Sequence, residues 1–201
     1  MNIFLPQTIQ TQVELEELAC VERQIISPST SKSANGTKQD GLVGGYNLSH
    51  PTLKINWRTA MNLITYTTVE DFSKIPKQQD MTGSKLYSMI VPPEINLQSK
   101  KLKIKNGEII DGRITNDALG AKKANTLTQL IWDEYGVDET EDFVDNTRWL
   151  NNNFNLWYGF SVGYGDLEIK PEIRKQIDNM FETITLRGQH LITEIENNPD
   201  L

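Results

Sequence analysis

The stretch Gly159-Phe160-Ser161-Val162-Gly163-Tyr164-Gly165-Asp166 constrains this chain more than any other. Glycines this dense mark a backbone that turns tightly, adopts positive φ, or lets another surface come close. An aromatic run, Trp149 to Tyr158, precedes it, and Pro171 follows at a position suited to the first turn of a helix. The stretch therefore reads as a hinge between a globular part and a projecting helix. In that helix Ile173, Ile177, Met180, Phe181, Ile184, Leu191, Ile192 and Ile195 fall at three- and four-residue steps. About 25 residues of helix run roughly 38 Å, more than a compact domain of this size needs. Its apolar face wants a partner, and Ile3-Phe4-Leu5 reads as the tail of a strand without its beginning. Both termini look cut.

Upstream of the hinge the pattern is mixed. Thr8 is a plausible N-cap for a helix to about Val21, with Val13, Leu15, Leu18 and Cys20 on its apolar side. Gln24-Ile25-Ile26 is strand-like. The polar segment 27–38 ends in an Asn35-Gly36 turn signal and suits either a functional loop or a disordered linker. A short helix or turn is expected over Gln39–Asn47, with Gly41, Gly44 and Gly45 weakening a helix. The stretch Ile55 to Tyr66 is apolar at helical spacing, and Thr82-Gly83 starts another short helix that Pro92-Pro93 ends. Around Asn106-Gly107 the apolar residues alternate instead, the signature of a hairpin, with Gly112 marking a bulge or bend. Asn125 or Thr126 caps a helix to Gly136, and a second runs from Asp138 with Phe143, Val144, Trp149, Leu150, Phe154 and Trp157 as its stripe. The expected class is α+β: mixed helices with a small antiparallel sheet, ending in a long projecting helix.

Charge narrows the function classes. The net charge of −7 argues against a whole-surface nucleic-acid trap. Between Leu97 and Asn125, however, seven Lys/Arg face three acidic residues, and between Asp133 and Asp145 there are seven acidic residues and no basic one. Two solvated faces account for this, and the first turns of a helix from Asp138 would favour the carboxylates. A single-stranded nucleic-acid binder using Lys100, Lys101, Lys103, Lys105, Lys122 and Lys123 is weakened by the absence of interleaved aromatics. Cys20 is the only cysteine, so neither an intramolecular disulfide nor a cysteine-rich zinc site can be built; it is expected in the core. No phosphate loop, dinucleotide fingerprint or metal spacing occurs, and His50 and His190 read as surface residues. We assign no catalytic residue and no metal ligand. No signal-peptide pattern or membrane-length apolar run is present, so a soluble, intracellular protein is expected.

The motifs taken in order resemble the largest subunit of multisubunit DNA-directed RNA polymerases. Met1-Asn2-Ile3-Phe4-Leu5-Pro6-Gln7 resembles the segment after that family's magnesium-binding Asp-rich loop. Gln24-Ile25-Ile26-Ser27-Pro28, Gln39-Asp40-Gly41-Leu42-Val43-Gly44, Thr82-Gly83 and Val91-Pro92-Pro93-Glu94-Ile95-Asn96-Leu97 resemble successive blocks. Asn106-Gly107-Glu108, Gly112 and Leu119-Gly120 continue the order. Gly159 to Asp166 is similar to a Gly-Phe-Ser-x-Gly-Ile-Gly-Asp signature, with Tyr164 in place of the aliphatic residue. The resemblance covers essentially the whole chain and favours the eukaryotic, archaeal and large-DNA-virus type; an Asn- and Ile-rich composition would suit a virus.

The resemblance implies that residues 1–28 complete the active-centre domain, 29–165 form the pore domain, and 166–201 begin the funnel with one arm of a helical hairpin. It implies that Gly159, Phe160, Ser161, Gly163, Gly165 and Asp166 form the pore–funnel junction, with Phe160 packed beneath. Lys38, Gln39 and Asp40 become candidates for the channel wall, the alternative being that Gln39 and Asp40 only cap and hydrogen-bond locally. The implied partners are the remainder of the largest subunit, the second-largest subunit and a transcript-cleavage factor. DNA template, RNA and nucleoside triphosphates would be met only in the assembled enzyme, and no membrane is involved. The magnesium of that enzyme would be held by residues outside this sequence, leaving the chain inactive alone. The implied location is the nucleus, or for a virus the viral factory, host cytoplasm or virion. The competing view is a stand-alone interaction module docking through helix 171–196.

Overall fold

The structure is a computed structural model that describes residues 3–197. The chain divides into two compact units, Met1–Gly159 and Phe160–Leu201. The described residues are mostly helical with small antiparallel sheets, an α+β arrangement.

The first unit is organised around one long helix. Eight helices occur among the described residues: α1 (Ile9–Glu14), α2 (Gln39–Leu48), α3 (Trp57–Ile64), α4 (Gly83–Ser88), α5 (Asn116–Leu119), α6 (Leu127–Tyr135), α7 (Val137–Tyr158) and, in the second unit, α8 (Pro171–Asn197). On α7 the residues Phe143, Thr147, Leu150, Asn151 and Phe154 are buried at helical spacing, so one stripe of the helix faces the core. Helices α2, α3 and α6 pack along it. Trp149 lies off the stripe and is exposed, and Trp157, in line with Phe154 at the end of the helix, is exposed as well. Asp138 and Glu139 occupy the first turn of α7, where the helix dipole favours them.

Where α2 meets α7, Gly44 and Gly45 supply the close approach. A Cβ on Gly44 would lie 2.5 Å from the Asn151 carbonyl oxygen, and one on Gly45 would lie 2.9 Å from the Asn151 amide nitrogen. These glycines weaken the helix in isolation and tighten the helix pair in the fold.

Short polar residues start the helices as expected. Thr8, Asn56, Thr82 and Thr126 each accept a backbone N–H three residues on, at 3.1, 2.9, 3.4 and 3.2 Å. Three small sheets accompany the helices. Strand β1 (Ile26–Ser27) pairs with β2 (Lys32–Ser33), β3 (Lys54–Ile55) with β4 (Met81–Thr82), and β5 (Leu97–Gln98), β6 (Leu102–Lys105) and β7 (Glu108–Gly112) lie in that order, all antiparallel. The β6–β7 turn places Asn106 at φ 51° and Gly107 at φ 73°, as a two-residue hairpin loop requires. Ile104 pairs with Ile109 and Lys103 with Asp111, so the bulge leaves Ile110 over and exposes it. Gly112 sits two residues beyond, at φ 90° and against the Lys101 carbonyl.

Several expectations are corrected. Ile3, Phe4 and Leu5 belong to no strand and are exposed, since no described strand pairs with them; Met1 and Asn2 lie outside the described residues. Helix α1 ends at Glu14 and continues as a π-helical turn over Leu15–Ala19. Neither buries a residue, Val13, Leu15 and Leu18 are exposed, and Cys20 is half-buried rather than in the core. An apolar stripe marks a face without stating what covers it.

The segment 27–38 is packed, not a linker. Ser33 is buried, its hydroxyl donates to the Asn35 carbonyl, and its own carbonyl accepts from Lys122 N–H at 2.8 Å. Thr37 N–H donates to Leu119 O at 3.0 Å, and Gly36 abuts the backbone of Leu119–Ala121 with no room for a side chain.

The glycine-rich stretch resolves into distinct roles. Gly159 ends α7 at φ 71°, its N–H donating to Asn155 O at 2.7 Å. In the second unit Gly163 precedes a 3-10 turn over Tyr164–Leu167, and its N–H donates to the Asp166 carboxylate at 2.8 Å. Ser161, Gly163 and Gly165 are exposed, and a Cβ on Gly165 would meet open space. Phe160, expected to pack beneath the turn, is 45% exposed. Helix α8 buries no residue, and within its unit no other long element exists for its apolar face to pack on. No helix among the described residues is long and apolar enough to cross a membrane.

Candidate functional site

The channel-wall candidates Lys38, Gln39 and Asp40 come together at the N-terminus of α2. Lys38 is the extended N-cap residue and offers no side-chain cap. Gln39 stands at φ 47°, a left-handed conformation that a non-glycine residue adopts only where its surroundings hold it. Those surroundings are the tied segment before it and α7 behind it. The Asn155 side-chain amide donates to the Asp40 carbonyl at 2.6 Å and fixes the first turn of α2 to α7.

All three side chains are exposed. The Asp40 backbone is fastened, yet neither its carboxylate nor the Gln39 carboxamide takes part in a hydrogen bond among the described residues. A rigid main chain thus presents a cation, a carboxamide and a carboxylate in succession. The carboxylate lies in the first turn, where the helix dipole favours it. Beside them opens a cleft of about 480 Å³ lined by Asn35, Thr37, Lys38, Asp145, Arg148 and Asn152 among others. Its lining joins the 33–38 segment, α2 and the outer face of α7. These groups can bind and orient a polar ligand. They include no nucleophile paired with a base, so they form no catalytic constellation.

The other candidate set is separate. Gly159 closes α7, and Phe160, Ser161, Gly163, Gly165 and Asp166 belong to the second unit, where Asp166 holds a turn.

Two lysines of the basic stretch, Lys101 and Lys123, share one carboxylate. Lys101 Nζ lies 2.7 Å and Lys123 Nζ 3.7 Å from the Asp117 carboxylate. The hydrogen bond from Lys101, with its charge, holds the Asp117 carboxyl below the ordinary range and raises the Lys101 ammonium. In the sheet Lys103 stands opposite Asp111 and Lys105 opposite Glu108.

Among the described residues no three His, Cys, Asp or Glu side chains gather closely enough to bind a metal ion. The acidic run is spread along α6 and α7. The Glu141 carboxyl is pushed up by lost hydration and by the like charges of Glu22, Asp145, Asp142 and Asp138.

Sequence patterns give no hint of Arg113. Its guanidinium lies 3.4 Å over the Tyr46 ring, and Nε and Nη2 both donate to the Tyr46 carbonyl at 3.0 and 2.7 Å. This contact crosses 67 positions of chain, which no local pattern encodes. The Ser49 hydroxyl ties the same region, donating to Gly45 O at 2.7 Å and accepting from Ile114 N–H at 2.9 Å.

Comparison with known proteins gives a consistent result. The family model described as RNA polymerase Rpb1, domain 3, matches residues 24–167. The chain is 37% identical over 205 residues to DNA-directed RNA polymerase subunit 1 of Acanthamoeba polyphaga mimivirus, covering 99% of this chain and 13% of that protein. It is 25% identical over 207 residues to DNA-directed RNA polymerase subunit Rpo1N of Halobacterium salinarum, covering 98% of this chain and 21% of that protein. The chain thus spans about an eighth to a fifth of the length of these relatives.

Proposed function

Since this chain belongs to the RNA polymerase largest-subunit family, through its domain 3, we propose that it contributes the pore, or secondary-channel wall, to a DNA-directed RNA polymerase. The observation that carries this is the family match over residues 24–167, within an alignment to the mimiviral subunit that runs nearly end to end of this chain. The alternative of a stand-alone interaction module draws no support from these matches.

In this proposal residues 1–28 complete the active-centre domain, 29–165 form the pore domain and 166–201 begin the funnel. The chain works as part of a nucleotidyltransferase assembled with other polymerase subunits, among them the rest of the largest subunit and the second-largest. Template, RNA, nucleoside triphosphates and a transcript-cleavage factor are met only in that assembly. Nucleotidyl transfer there requires metal ions to activate the attacking hydroxyl and steady the leaving pyrophosphate. By the family resemblance, magnesium is assigned to residues outside this sequence. The nucleus, or a viral factory, host cytoplasm or virion, is the proposed location.

Lys38, Gln39 and Asp40 are the proposed channel-facing residues. Their support is the fixed backbone and free side chains at the start of α2. Gln39→Ala in the assembled enzyme is expected to change elongation or transcript cleavage several-fold without changing subunit recovery. Unchanged rates on a primed template would remove Gln39 from the channel wall.

A further inference from the structure

We propose that a second polar pocket, formed by Asn47, His50, Lys54, Arg113 and Tyr158, binds a phosphoryl group. The pocket measures about 240 Å³ and is lined by these residues with Thr52 and Leu53. It contains no Asp or Glu, although the chain as a whole carries a net charge of −7. The inference stands apart from the polymerase proposal, because it uses only the chemistry of this lining.

Two of the donors, His50 and Arg113, are prepared by contacts of their own. The Thr52 backbone N–H, which can only donate, lies 3.2 Å from His50 Nδ1, and the Thr52 hydroxyl lies 2.9 Å from the same nitrogen. Nδ1 is therefore the acceptor, and the neutral ring carries its proton on Nε2. The ring nitrogen left over is a donor.

Arg113 is held in the same manner. Its stacking on Tyr46 and its two bonds to the Tyr46 carbonyl use Nε and one hydrogen of Nη2. Nη1 remains for a ligand, on a guanidinium that has already lost its rotational freedom. The Lys54 ammonium enters no salt bridge among the described residues, and the Asn47 carboxamide adds a neutral donor. Tyr158 forms the remaining wall, its ring stacked on the buried Phe154 with centroids 5.1 Å apart and planes inclined by 16°.

Two cationic groups, an imidazole N–H and a carboxamide around one small volume suit a group with several anionic oxygens pointing in different directions. A phosphoryl group has that form, and charge-assisted hydrogen bonds to it are the strong kind. The group can arrive on a free nucleotide or within a nucleic-acid backbone.

Titration of the full chain, followed by NMR at constant ionic strength, distinguishes these sources. The probes are inorganic phosphate, adenosine monophosphate and a short single-stranded oligonucleotide, with potassium chloride as the reference salt. Saturable shifts of the His50 ring and Lys54 signals are expected with at least one phosphate-bearing probe and not with chloride. A response to adenosine monophosphate assigns a free nucleotide; a response to the oligonucleotide alone assigns a backbone phosphate. Lys54→Gln and His50→Gln, which alter exposed or half-buried side chains outside the core, are each expected to weaken binding about tenfold. The proposal is overturned if no phosphate-bearing probe saturates, or if both variants bind as the parent chain does. Neither result would bear on whether the chain joins a polymerase, which subunit recovery reads separately.

Discussion

Gly83→Ala is expected to destabilise the first unit by about 3 kcal/mol, the upper end of what overpacking costs. Gly83 opens α4 directly after its cap Thr82, and its N–H donates to Leu53 O at 3.2 Å. A Cβ there would overlap the carbonyl oxygen of Leu48, the buried last residue of α2, and lie 3.1 Å from a Leu53 methyl. The methyl could turn away; the carbonyl is main chain and cannot. To admit one carbon, α4 must move off α2, taking the fully buried Leu86 and Tyr87 with it. Burial already raises the Tyr87 hydroxyl above the ordinary tyrosine range, with its contact to Thr147 acting in the other direction. Displacing that side chain would disturb the α7 face as well. Urea unfolding followed by circular dichroism reads the effect as a lowered midpoint at unchanged slope. Gly188→Ala is the control, since a Cβ there meets nothing within 4 Å in α8; it is expected to raise helix stability by up to about 1 kcal/mol. Equal midpoints for Gly83→Ala and the parent chain would mean that α2 and α4 do not meet as described.

Phe154→Ala is expected to cost about 3–5 kcal/mol, the range for emptying a large aromatic site in a core. Phe154 is fully buried on α7, in the stripe with Leu150 and Phe143, and it stacks with Tyr158. Set against a total stability of about 5–15 kcal/mol for a domain, the loss removes a large share. Leu156, two positions along the same helix, is 86% exposed; Leu156→Ala is expected to stay within about 0.5 kcal/mol. The pair tests the helical register of the central element. Comparable losses at both positions would contradict the burial stripe.

Local structure was well legible in the residues, and tertiary burial was not. Thr8, Thr82 and Thr126 cap helices because a short side-chain oxygen before an apolar pattern satisfies the first free N–H groups, a purely local matter. Asn106-Gly107 made the hairpin legible for the same reason: both residues tolerate the positive φ the turn needs. Periodicity did not reveal that α1 lies open or that Trp149 and Trp157 stand exposed, because a repeat names a face and not its cover. Polar composition made 27–38 resemble a linker, yet backbone bonds to Leu119 and from Lys122 anchor it across more than 80 positions. Gly44 and Gly45 read as weak helix formers until their contact with Asn151 was seen.

The candidate site was legible only through family resemblance. Lys38, Gln39 and Asp40 form no chemical motif on their own, and nothing local announces the left-handed Gln39. Arg113 and His50 carry no local pattern that marks a site, because their partners matter more than their neighbours. Arg113 gains its fixed position from a carbonyl far upstream, and His50 gains its tautomer from Thr52. In the glycine-rich stretch, Gly159 uses positive φ and Asp166 fastens Gly163, while nothing in the structure explains Gly165.

Recovery of tagged chain from cells that express it tests the central claim most directly. A segment of a polymerase largest subunit should bring down the second-largest subunit and the remaining large-subunit sequence in matching amounts. The recovered material should then extend a primed template when magnesium is supplied. Recovery as a stable monomer, in cells where those subunits are present and assembled without it, would contradict the assignment.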